Sequence, residues 1–478
     1  MMRFDIISVF PEFFEVLDLS LIGKAQERGI LSISSQDLRD WTDDPHRTVD
    51  DSPAGGGAGM VMRPDVWGKA IDSILGVGTV ASTALAPSAE CTGEDSAVVP
   101  HTVLAIPTPS GVPLTQRTCE RIARGAQHVV IACGRYEGID ARVAHYYAQS
   151  GVDVIEYSLG DYVLNGGEVA AVALVEAVGR LLPGMVGNPD SLVEESHGAA
   201  GLLEYPVYTR PVQWRELAIP PVLLSGHHGD TARWRKDRAL ERTAARRADM
   251  VRQLDAESLD KGDKAMLAGL GYLVARGGEH PVSVTARRAE PADACALAEL
   301  AARTFPDAAP AYLTEESIDS FVRQNLSLEV FRELLADTLH YYAIVLEAED
   351  GRLIGYTLSI VPDGDGVAGS DEGAQVDALI DGRERLGQLT ELSKFYIDRD
   401  WRGSGAADIL WEYTFRALAQ ACADWENPGV FLGTNAANRR ARHAYRKLAF
   451  DEGGERTFMV GEQDNHDVVF ARGLRVPK

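Results

Sequence analysis

Hydrophobic positions in the first half of the chain form short apolar runs that alternate with stretches of helical spacing. The runs are FDIISVF (4–10), TVLAIP (102–107), HVVIACG (128–134) and VDVIEYS (152–158), and the helical stretches include 115–126 and 169–182. Strands that are apolar on both faces and alternate with helices are typical of a parallel sheet covered on both sides. The pattern predicts an α/β fold whose ligands bind at the carboxyl ends of the strands.

Glycine-rich loops directly follow two of these strands. GRYEGID (134–140) comes after the third apolar run, and LGDYVLNGGE (159–168) comes after the fourth. Glycines in such positions allow backbone amides to approach a ligand, so we expect the two loops to border one binding site. Neither loop has the spacing of a dinucleotide-binding or P-loop motif. The alternative interpretation is that the glycines only make tight turns between strand and helix.

Other segments indicate loops and a boundary. PAGGGAGM (53–60) is too rich in glycine for the interior of a helix or strand, and predicts a lid or a connection that a ligand orders. Segments 79–100 and 362–387 are rich in small and acidic residues and are predicted to be surface insertions. LAGLGYLVARGGEHPVS (267–283) ends in Gly-Gly and His-Pro, which predicts a domain boundary near residue 280.

The second half begins a new pattern of strand, capped helix and strand. The strand LTELSKFYI (389–397) leads into the loop RGSGAA (402–407), which opens a further helix. Successive backbone amides at a helix start, beside an arginine, suit the binding of a pyrophosphate group. Short glycine-rich turns are common in proteins, so this loop alone does not establish a pyrophosphate site.

Composition narrows the classes of partner. The chain has 478 residues, with 71 acidic and 47 basic groups, and its net charge of −24 argues against non-specific binding of DNA or of an anionic membrane. It has neither an apolar stretch of about 18 residues nor the pattern of a signal peptide, so we expect a cytoplasmic protein. The five cysteines form no CxxC pair, and no metal site is predicted.

One segment is basic in this acidic chain. Between residues 233 and 252 there are eight basic and three acidic residues, so the local charge is 8 − 3 = +5. Spacings of three and four place most of these side chains on neighbouring faces of one helix, which predicts contacts with RNA phosphates. The predicted contact residues are Arg233, Arg235, Arg242 and Arg246. The alternative is a solvated helix with internal ion pairs.

Several long motifs resemble those of the bacterial tRNA (guanine-N(1)-)-methyltransferases. FDIISVFPEFF, HRTVDDSPAGGGAGM, CGRYEGID, SLGDYVLNGGE, GRLLPG and YTRPVQW occur in this order over about 250 residues. The resemblance implies a knotted α/β fold of the SPOUT type and a homodimer with active sites at the subunit interface. It also implies S-adenosylmethionine as cofactor and methylation of the guanine 3′ of the anticodon in tRNA.

The same resemblance implies particular site residues. The family's cofactor loops fall on Pro109, Gly134, Tyr136, Glu137, Leu159, Gly160, Asp161, Tyr162, Val163, Leu164, Gly166 and Gly167. The family's catalytic arginine matches Arg180, which would steady negative charge on the guanine carbonyl. Its catalytic aspartate matches Glu195, which has one more methylene, so Glu194 or Asp190 stays open as the base that takes the guanine proton.

The second half resembles the GNAT-type N-acetyltransferases. NAANRRARHAYRKLAF (435–450), following the strand VFLGT, carries the second signature of that superfamily, and RGSGAA carries the first. The resemblance implies acetyl-coenzyme A as cofactor, with Tyr445 protonating the departing thiolate and Glu391 as a base for an amine. The implied cofactor-binding residues are Arg402, Gly403, Gly405, Ala407 and Asn438. The acetyl acceptor is not evident from the sequence.

Together the resemblances imply a bifunctional enzyme. The predicted parts are a SPOUT-type domain (1–185), a linker and helical tRNA-binding extension (186–278), and a GNAT-type α+β domain (283–478). Two alternatives stay open. The first half could bind tRNA without methylating it, because Glu195 departs from the family, and the second half could only bind acetyl-coenzyme A or brace the dimer.

Overall fold

The computed structural model describes residues 1–76, 101–186, 196–198, 200–309, 313–362, 388–460 and 463–475. The predicted insertion 79–100 lies outside the described residues, as does 362–387 apart from its first residue. The chain divides into two compact units, Met1–Gly198 and Ala199–Lys478. No helix in the described part of the chain is long and apolar enough to cross a membrane.

The first unit alternates strands and helices. Its strands are β1 (Met2–Ser8), β2 (Leu31–Asp37), β3 (Asp50–Asp51), β4 (Val61–Met62), β5 (Thr102–Pro113), β6 (His128–Ala132) and β7 (Asp153–Ser158). Its α-helices are α1 (Ser20–Glu27), α2 (Pro64–Leu75), α3 (Gln116–Gly125), α4 (Arg142–Gln149) and α5 (Glu168–Gly179), with 3₁₀ helices at Pro11–Asp18 and Leu38–Trp41.

Five of these strands form a parallel sheet in the order β2-β1-β6-β5-β7. Alternate side chains of β1 enter two different cores: Phe4 and Ile6 pack with residues of α1, α3 and α5, whereas Ile7 packs with residues of α2 and α4. The sheet is therefore covered on both faces, as the doubly apolar runs predicted. The predicted α/β fold is confirmed, and the knotted connection stays a prediction.

The second unit begins with short strands and helices. These are β8 (Gln213–Trp214), β9 (Leu217–Ala218), a 3₁₀ helix (Pro221–Leu224), α6 (His228–Arg246), α7 (Ala248–Val251), α8 (Lys261–Gly269) and β10 (Tyr272–Leu273). Helix α8 starts with a reciprocal cap in which the side chains of Asp260 and Asp263 each accept a backbone N–H of the other residue.

A mixed sheet forms the rest of the second unit. Its strands are β11 (Val282–Arg288), β12 (Tyr341–Ala348), β13 (Leu353–Ile360), β14 (Leu389–Ile397), β15 (Gly429–Asn435), β16 (Asp451–Val460) and β17 (Gln463–Gly473). Its α-helices are α9 (Ala294–Thr304), α10 (Glu315–Asn325), α11 (Leu328–Ala336), α12 (Ala406–Ala421) and α13 (Arg439–Lys447), with 3₁₀ helices at Pro291–Asp293 and Arg399–Trp401. The order is β10-β11-β12-β13-β14-β15-β17-β16, antiparallel except for β14 beside β15.

The helical segment and the mixed sheet share a core within the second unit. Strand β10 pairs with β11, and its Leu273 packs in one cluster with Trp401, Ala406 and Leu410. The backbone N–H of Arg276 donates to the carbonyl oxygen of Asp400 at 2.6 Å. The predicted boundary near residue 280 thus falls between two paired strands, and the domain limits stay a prediction.

Candidate active sites

A cavity of about 490 Å³ opens at the carboxyl ends of β5, β6 and β7. It lies between an irregular segment of β5, where the pairing with β7 shifts register after Pro107, and the loops that follow β6 and β7. A parallel sheet places its ligands at this edge. Ten of the twelve residues predicted to bind the cofactor line it, whereas Gly160 and Asp161 belong to the β7 loop without lining the cavity. The lining residues from that prediction are Pro109, Gly134, Tyr136, Glu137, Leu159, Tyr162, Val163, Leu164, Gly166 and Gly167.

Gly167 brings the three loops into contact. Its N–H donates to the carbonyl oxygen of Gly134 at 2.9 Å, which joins the β7 loop to the β6 loop. A Cβ atom on Gly167 would lie 2.7 Å from Cγ of Pro107 and 3.0 Å from Cα of Cys133. Since real Cβ atoms essentially never come closer than 3.0 Å to such atoms, only glycine fits here without a shift of the loops. The backbone of this residue is helical, with φ −76° and ψ −9°, so the requirement is steric.

A buried ion pair supports the floor of this cavity. Glu168, which is 2% exposed, accepts a hydrogen bond from Ser8 Oγ at 2.7 Å and pairs with the Arg135 guanidinium at 3.0 Å. The same guanidinium lies 4.6 Å from the ring centre of Phe10. A buried carboxylate is stable only when its oxygens are satisfied, so these contacts fix the start of α5 against the β6 loop. Neither Arg135 nor Glu168 was predicted to be a site residue, although both lie within the two glycine-rich motifs.

The third glycine-rich loop (53–60) packs against the rim of the cavity. The N–H of Glu137 donates to the carbonyl oxygen of Met60 at 3.0 Å, and the N–H of Met62 donates to that of Gly138 at 2.9 Å. Gly59 is so close to the Glu137 side chain that a Cβ there would clash with it. The loop therefore connects to a predicted cofactor residue, and its role as a lid stays a prediction.

The predicted catalytic arginine lies away from this cavity. Arg180 caps the carboxyl end of α5, whereas Glu168 at the other end of the helix lies beneath the cavity. Twelve residues separate the two, which corresponds to about 18 Å along an α-helix. Arg180 does not line the cavity. The predicted base Glu195, and the alternatives Glu194 and Asp190, lie outside the described residues.

The basic segment forms helix α6, and much of its charge is paired within the unit. Arg233 bridges Asp237 at 2.6 Å and Asp263 at 2.9 Å, and Arg242 donates to the carbonyl oxygen of Glu204 at 2.9 Å. Arg235 stacks on the ring of Tyr205, 4.9 Å from its centre. Arg246 is exposed, and no ion pair of it is found among the described residues. For Arg233 these contacts match the alternative interpretation, a solvated helix with internal ion pairs. RNA binding by α6 stays a prediction.

A second cavity, of about 440 Å³, opens between β14 and β15 in the second unit. The two strands are hydrogen-bonded only from Leu389 to Glu391, opposite Gly429 to Phe431, and separate beyond this point. The predicted residues Arg402, Gly403, Ala407, Asn438 and Tyr445 line the cavity, whereas Gly405 and Glu391 do not.

The loop before α12 has the backbone of an anion-binding turn. Gly403 and Gly405 have φ of +84° and +102°, which glycine adopts without strain, and the N–H groups of the first turn of α12 follow them. The Arg402 side chain points elsewhere: its guanidinium pairs with Asp307 at 2.8 Å and donates to the carbonyl oxygen of Ile397 at 3.0 Å. In this arrangement Arg402 holds the loop against Asp307 and Ile397, and its role at a pyrophosphate stays a prediction.

Tyr445 is partly buried where the cavity meets α13. Its ring packs against Phe395, Phe450 and Phe470. Burial, together with the neighbouring Tyr396 and Asp467, raises the pKa of the Tyr445 phenol well above its usual value. The hydroxyl is therefore protonated at neutral pH, as a proton donor must be.

Two charged residues that sequence reasoning missed also line this cavity. Asp467 comes from β17 and Arg440 from the first turn of α13. Arg440 lies within the motif at 435–450, whereas none of the motifs includes Asp467. Only the pairing of β17 with β15 brings Asp467 to the cavity.

Comparison with known proteins matches a family model to each half of the chain. The model of the family described as tRNA (guanine-1)-methyltransferase TrmD matches residues 2–253, which is more than half of the chain. The chain therefore belongs to the tRNA (guanine-1)-methyltransferase family. The model of the acetyltransferase (GNAT) family matches residues 296–450, so a GNAT domain follows the methyltransferase region.

Relatives named tRNA (guanine-N(1)-)-methyltransferase cover the first part of the chain at high identity. The protein of Bifidobacterium animalis subsp. lactis is 51% identical over 283 residues, which is 59% of this chain and 98% of that protein. Those of Kocuria rhizophila and Micrococcus luteus are 49% identical over 313 residues and 54% identical over 256 residues. These matches cover 58% and 54% of this chain, and 94% and 100% of the relatives. This family member thus carries about 200 residues more than the region these relatives match.

Proposed function

We propose that the first unit transfers a methyl group from S-adenosylmethionine to the N-1 atom of the guanine 3′ of the anticodon in tRNA. The observation that supports this is the cavity at the carboxyl ends of β5, β6 and β7, which gathers ten of the twelve predicted cofactor residues. Gly134, Gly166 and Gly167 let the polypeptide segments around the cavity pack closely against one another. The sulfonium would supply an activated methyl group, and a carboxylate of this chain would take the proton from guanine N-1.

The test is methylation of an unmodified tRNA transcript by the full chain. We expect 1-methylguanosine, detected by mass spectrometry of the nucleosides, when the base 3′ of the anticodon is guanine. A matched transcript with adenine at that one position should receive no methyl group. Methylation of both transcripts at the same rate would contradict the proposed position.

We further propose that Arg180 acts on the cavity of a second copy of the chain. In one chain about 15 Å of helix separates Arg180 from Ala170, the residue of α5 that lines the cavity, which is too far for a side chain to reach. A homodimer with shared sites, as the family resemblance implies, removes this obstacle because a two-fold axis can bring the end of one α5 to the other cavity. The exposed apolar side chains of Phe10, Phe13 and Leu19 on the same unit are consistent with a covered surface.

Mixed dimers test this arrangement. Arg180→Ala and Gly167→Val should each be inactive alone, the first through the arginine and the second through the cofactor loops. If the arginine acts on the partner's cavity, half of the dimers in an equal mixture are mixed, and each mixed dimer has one intact site. Activity should then return to about one quarter of the wild-type value. No recovery in the mixture would show that Arg180 and the loops must belong to the same chain.

We propose that the second unit transfers an acetyl group from acetyl-coenzyme A to an amine. Support comes from the gap between β14 and β15, the left-handed glycines before α12 and the protonated Tyr445 on the cavity wall. The amine nitrogen would form a bond to the acetyl carbon while the carbon–sulfur bond breaks. The thiolate would take the Tyr445 proton, and the amine would release its protons to a carboxylate and to water.

Calorimetric titration of the full chain with acetyl-coenzyme A tests the binding step, and Tyr445→Phe tests the chemical step. We expect one binding site per chain, and Tyr445→Phe should retain the affinity while slowing acetyl transfer by about 10²-fold, as removal of a general acid does. Binding without turnover of any amine would favour a non-catalytic acetyl-coenzyme A module. Absence of binding would contradict the proposal as a whole.

A further inference from the structure

Asp467 places a buried carboxylate on the wall of the acetyltransferase cavity. It is 6% exposed and lines the cavity together with Tyr445, Thr434 and Asn435. Its charge is among the influences that raise the pKa of Tyr445, after burial and Tyr396, so the two side chains lie within electrostatic reach. Because Tyr445 is the proposed proton donor to the thiolate, Asp467 and the proposed donor line the same cavity.

Strand register determines which face of the sheet Asp467 occupies. Val469 and Ala471, two and four residues along β17, pack with Leu389 and Phe431 in one cluster, and side chains of a strand alternate between faces. Asp467 therefore lies on the face of this cluster. Glu391, two residues from Leu389, shares that face.

The same face carries helices α9 and α11. Glu391 is paired with Ile360 on β13, and Leu358 and Tyr356, at two-residue steps from Ile360, pack against residues of α9 and α11. Asp467 thus lies on the α9–α11 side of the sheet, whereas the core around Trp411 and Phe415 of α12 lies on the other side.

An aromatic wall lines the cavity on this α9–α11 side. The rings of Phe305 and Phe321 stack with their centres 4.5 Å apart and 8° between their planes, and Tyr396 lies 6.5 Å from Phe305. All three line the cavity, and Leu313 and Ala308 beside them are apolar. A flat apolar group would bury its surface here with favourable ring contacts.

The sequence-predicted base, Glu391, is less well placed than Asp467. It lies in the segment where β14 and β15 are still hydrogen-bonded, and it does not line the cavity. Lys394 is near enough to interact with its charge. Asp467 instead lies opposite Asn435 in the register of β17 against β15, at the end of β15 where β14 and β15 have separated.

We infer that Asp467 binds the ammonium group of the acetyl acceptor and takes its proton, and that the acceptor is a primary amine with a flat apolar body. The body lies on Phe305, Phe321 and Tyr396. After proton transfer to Asp467, the neutral nitrogen bonds to the acetyl carbon, the carbon–sulfur bond breaks, and the thiolate takes the proton of Tyr445. The nitrogen releases its second proton to water. This inference rests on the proposed binding of acetyl-coenzyme A.

The experiment uses the full chain, acetyl-coenzyme A and two probe amines, tyramine and spermidine, with release of free thiol as the readout. Tyramine should be acetylated with a kcat/KM at least about tenfold above that of spermidine. Asp467→Asn should lower kcat/KM for tyramine by about 10²-fold and leave the calorimetric affinity for acetyl-coenzyme A within about twofold. Phe321→Ala should raise KM for tyramine by about tenfold with little change in kcat. Asp350→Asn, in the exposed turn between β12 and β13, is the matched control and should behave as wild type.

Three results would overturn the inference while acetyl-coenzyme A still binds. In the first, Asp467→Asn keeps full activity and Glu391→Gln loses it. In the second, the wild-type chain acetylates spermidine in preference to tyramine. In the third, the wild-type chain acetylates neither amine. The affinity of Asp467→Asn for acetyl-coenzyme A reports whether this variant is folded. If it is not folded, the KM of Phe321→Ala for tyramine still decides the acceptor class. If the wild-type chain does not bind acetyl-coenzyme A, the proposed function of the unit fails first.

Discussion

Replacing Gly167 with alanine should weaken binding of S-adenosylmethionine through steric strain alone. The added Cβ would lie 2.7 Å from the Pro107 ring and 3.0 Å from the backbone of Cys133. Neither group is the end of a flexible side chain, so the β5 and β6 loops must move apart. Overpacking of this kind typically costs about 1–3 kcal/mol. If the whole of this strain opposes the ligand-bound arrangement of the loops, the affinity falls by about 5- to 150-fold.

Gly68→Ala is the matched control for this substitution. Gly68 lies within α2 of the same unit, and an added Cβ there would meet nothing within 4 Å. Because alanine favours helix over glycine by about 0.5–1 kcal/mol, this variant should be slightly more stable and should bind S-adenosylmethionine normally. Gly167 is instead the N-cap of α5, where alanine is less favourable than glycine, so no gain in stability is expected there.

Isothermal titration of both variants with S-adenosylmethionine separates the two effects. Weakened binding in Gly167→Ala and unchanged binding in Gly68→Ala would support the packing of three loops around one glycine. Wild-type affinity in Gly167→Ala would refute the steric reasoning and place the cofactor elsewhere.

Three further predictions concern the first unit and helix α6. Arg180→Ala should abolish methyl transfer and leave the affinity for S-adenosylmethionine within about twofold, because the arginine is assigned to the guanine and not to the sulfonium; loss of affinity with residual activity would contradict this. Arg246→Glu should lower the salt dependence of tRNA binding by about one unit of log–log slope, whereas Arg233→Gln should change it less because Arg233 is already ion-paired. Burial raises the pKa of Asp5, but hydrogen bonds from His128 and Arg3 outweigh it and the pKa falls below its usual value. The stabilisation from Asp5 is thus complete above the unfolded-chain pKa of about 3.9 and is lost as pH falls further. Asp5→Asn should flatten the acid limb of a thermal melting series, and an unchanged limb would assign acid unfolding to other groups.

The fold of the first unit could be predicted because its signals are local. Runs such as HVVIACG are apolar at successive positions, and that pattern distinguishes a strand covered on both faces from one that faces water. The glycine-rich loops were also local signals, and the structure places most of their residues on one cavity. The ion pair of Arg135 and Glu168 was not predicted because it depends on contact between residues 33 positions apart.

In the second unit, too, local features could be predicted from the sequence and long-range contacts could not. RGSGAA and the helix with Tyr445 could be located from the sequence, since glycine and cap residues mark the start of a helix. Asp467 could not, because its position on the cavity depends on the register of β17 against β15. The ion pair of Arg402 with Asp307 could not be predicted either, because it joins residues 95 positions apart in the sequence.

The central claim is that one chain holds two separate cofactor sites, one in each unit. The most direct measurement is a calorimetric titration of the full chain with acetyl-coenzyme A, first alone and then with S-adenosylmethionine at saturation. The account predicts one acetyl-coenzyme A site per chain in both titrations, because the two cavities share no residue. Loss of the acetyl-coenzyme A site when S-adenosylmethionine is bound would mean that the ligands compete for one cavity, and would contradict the account.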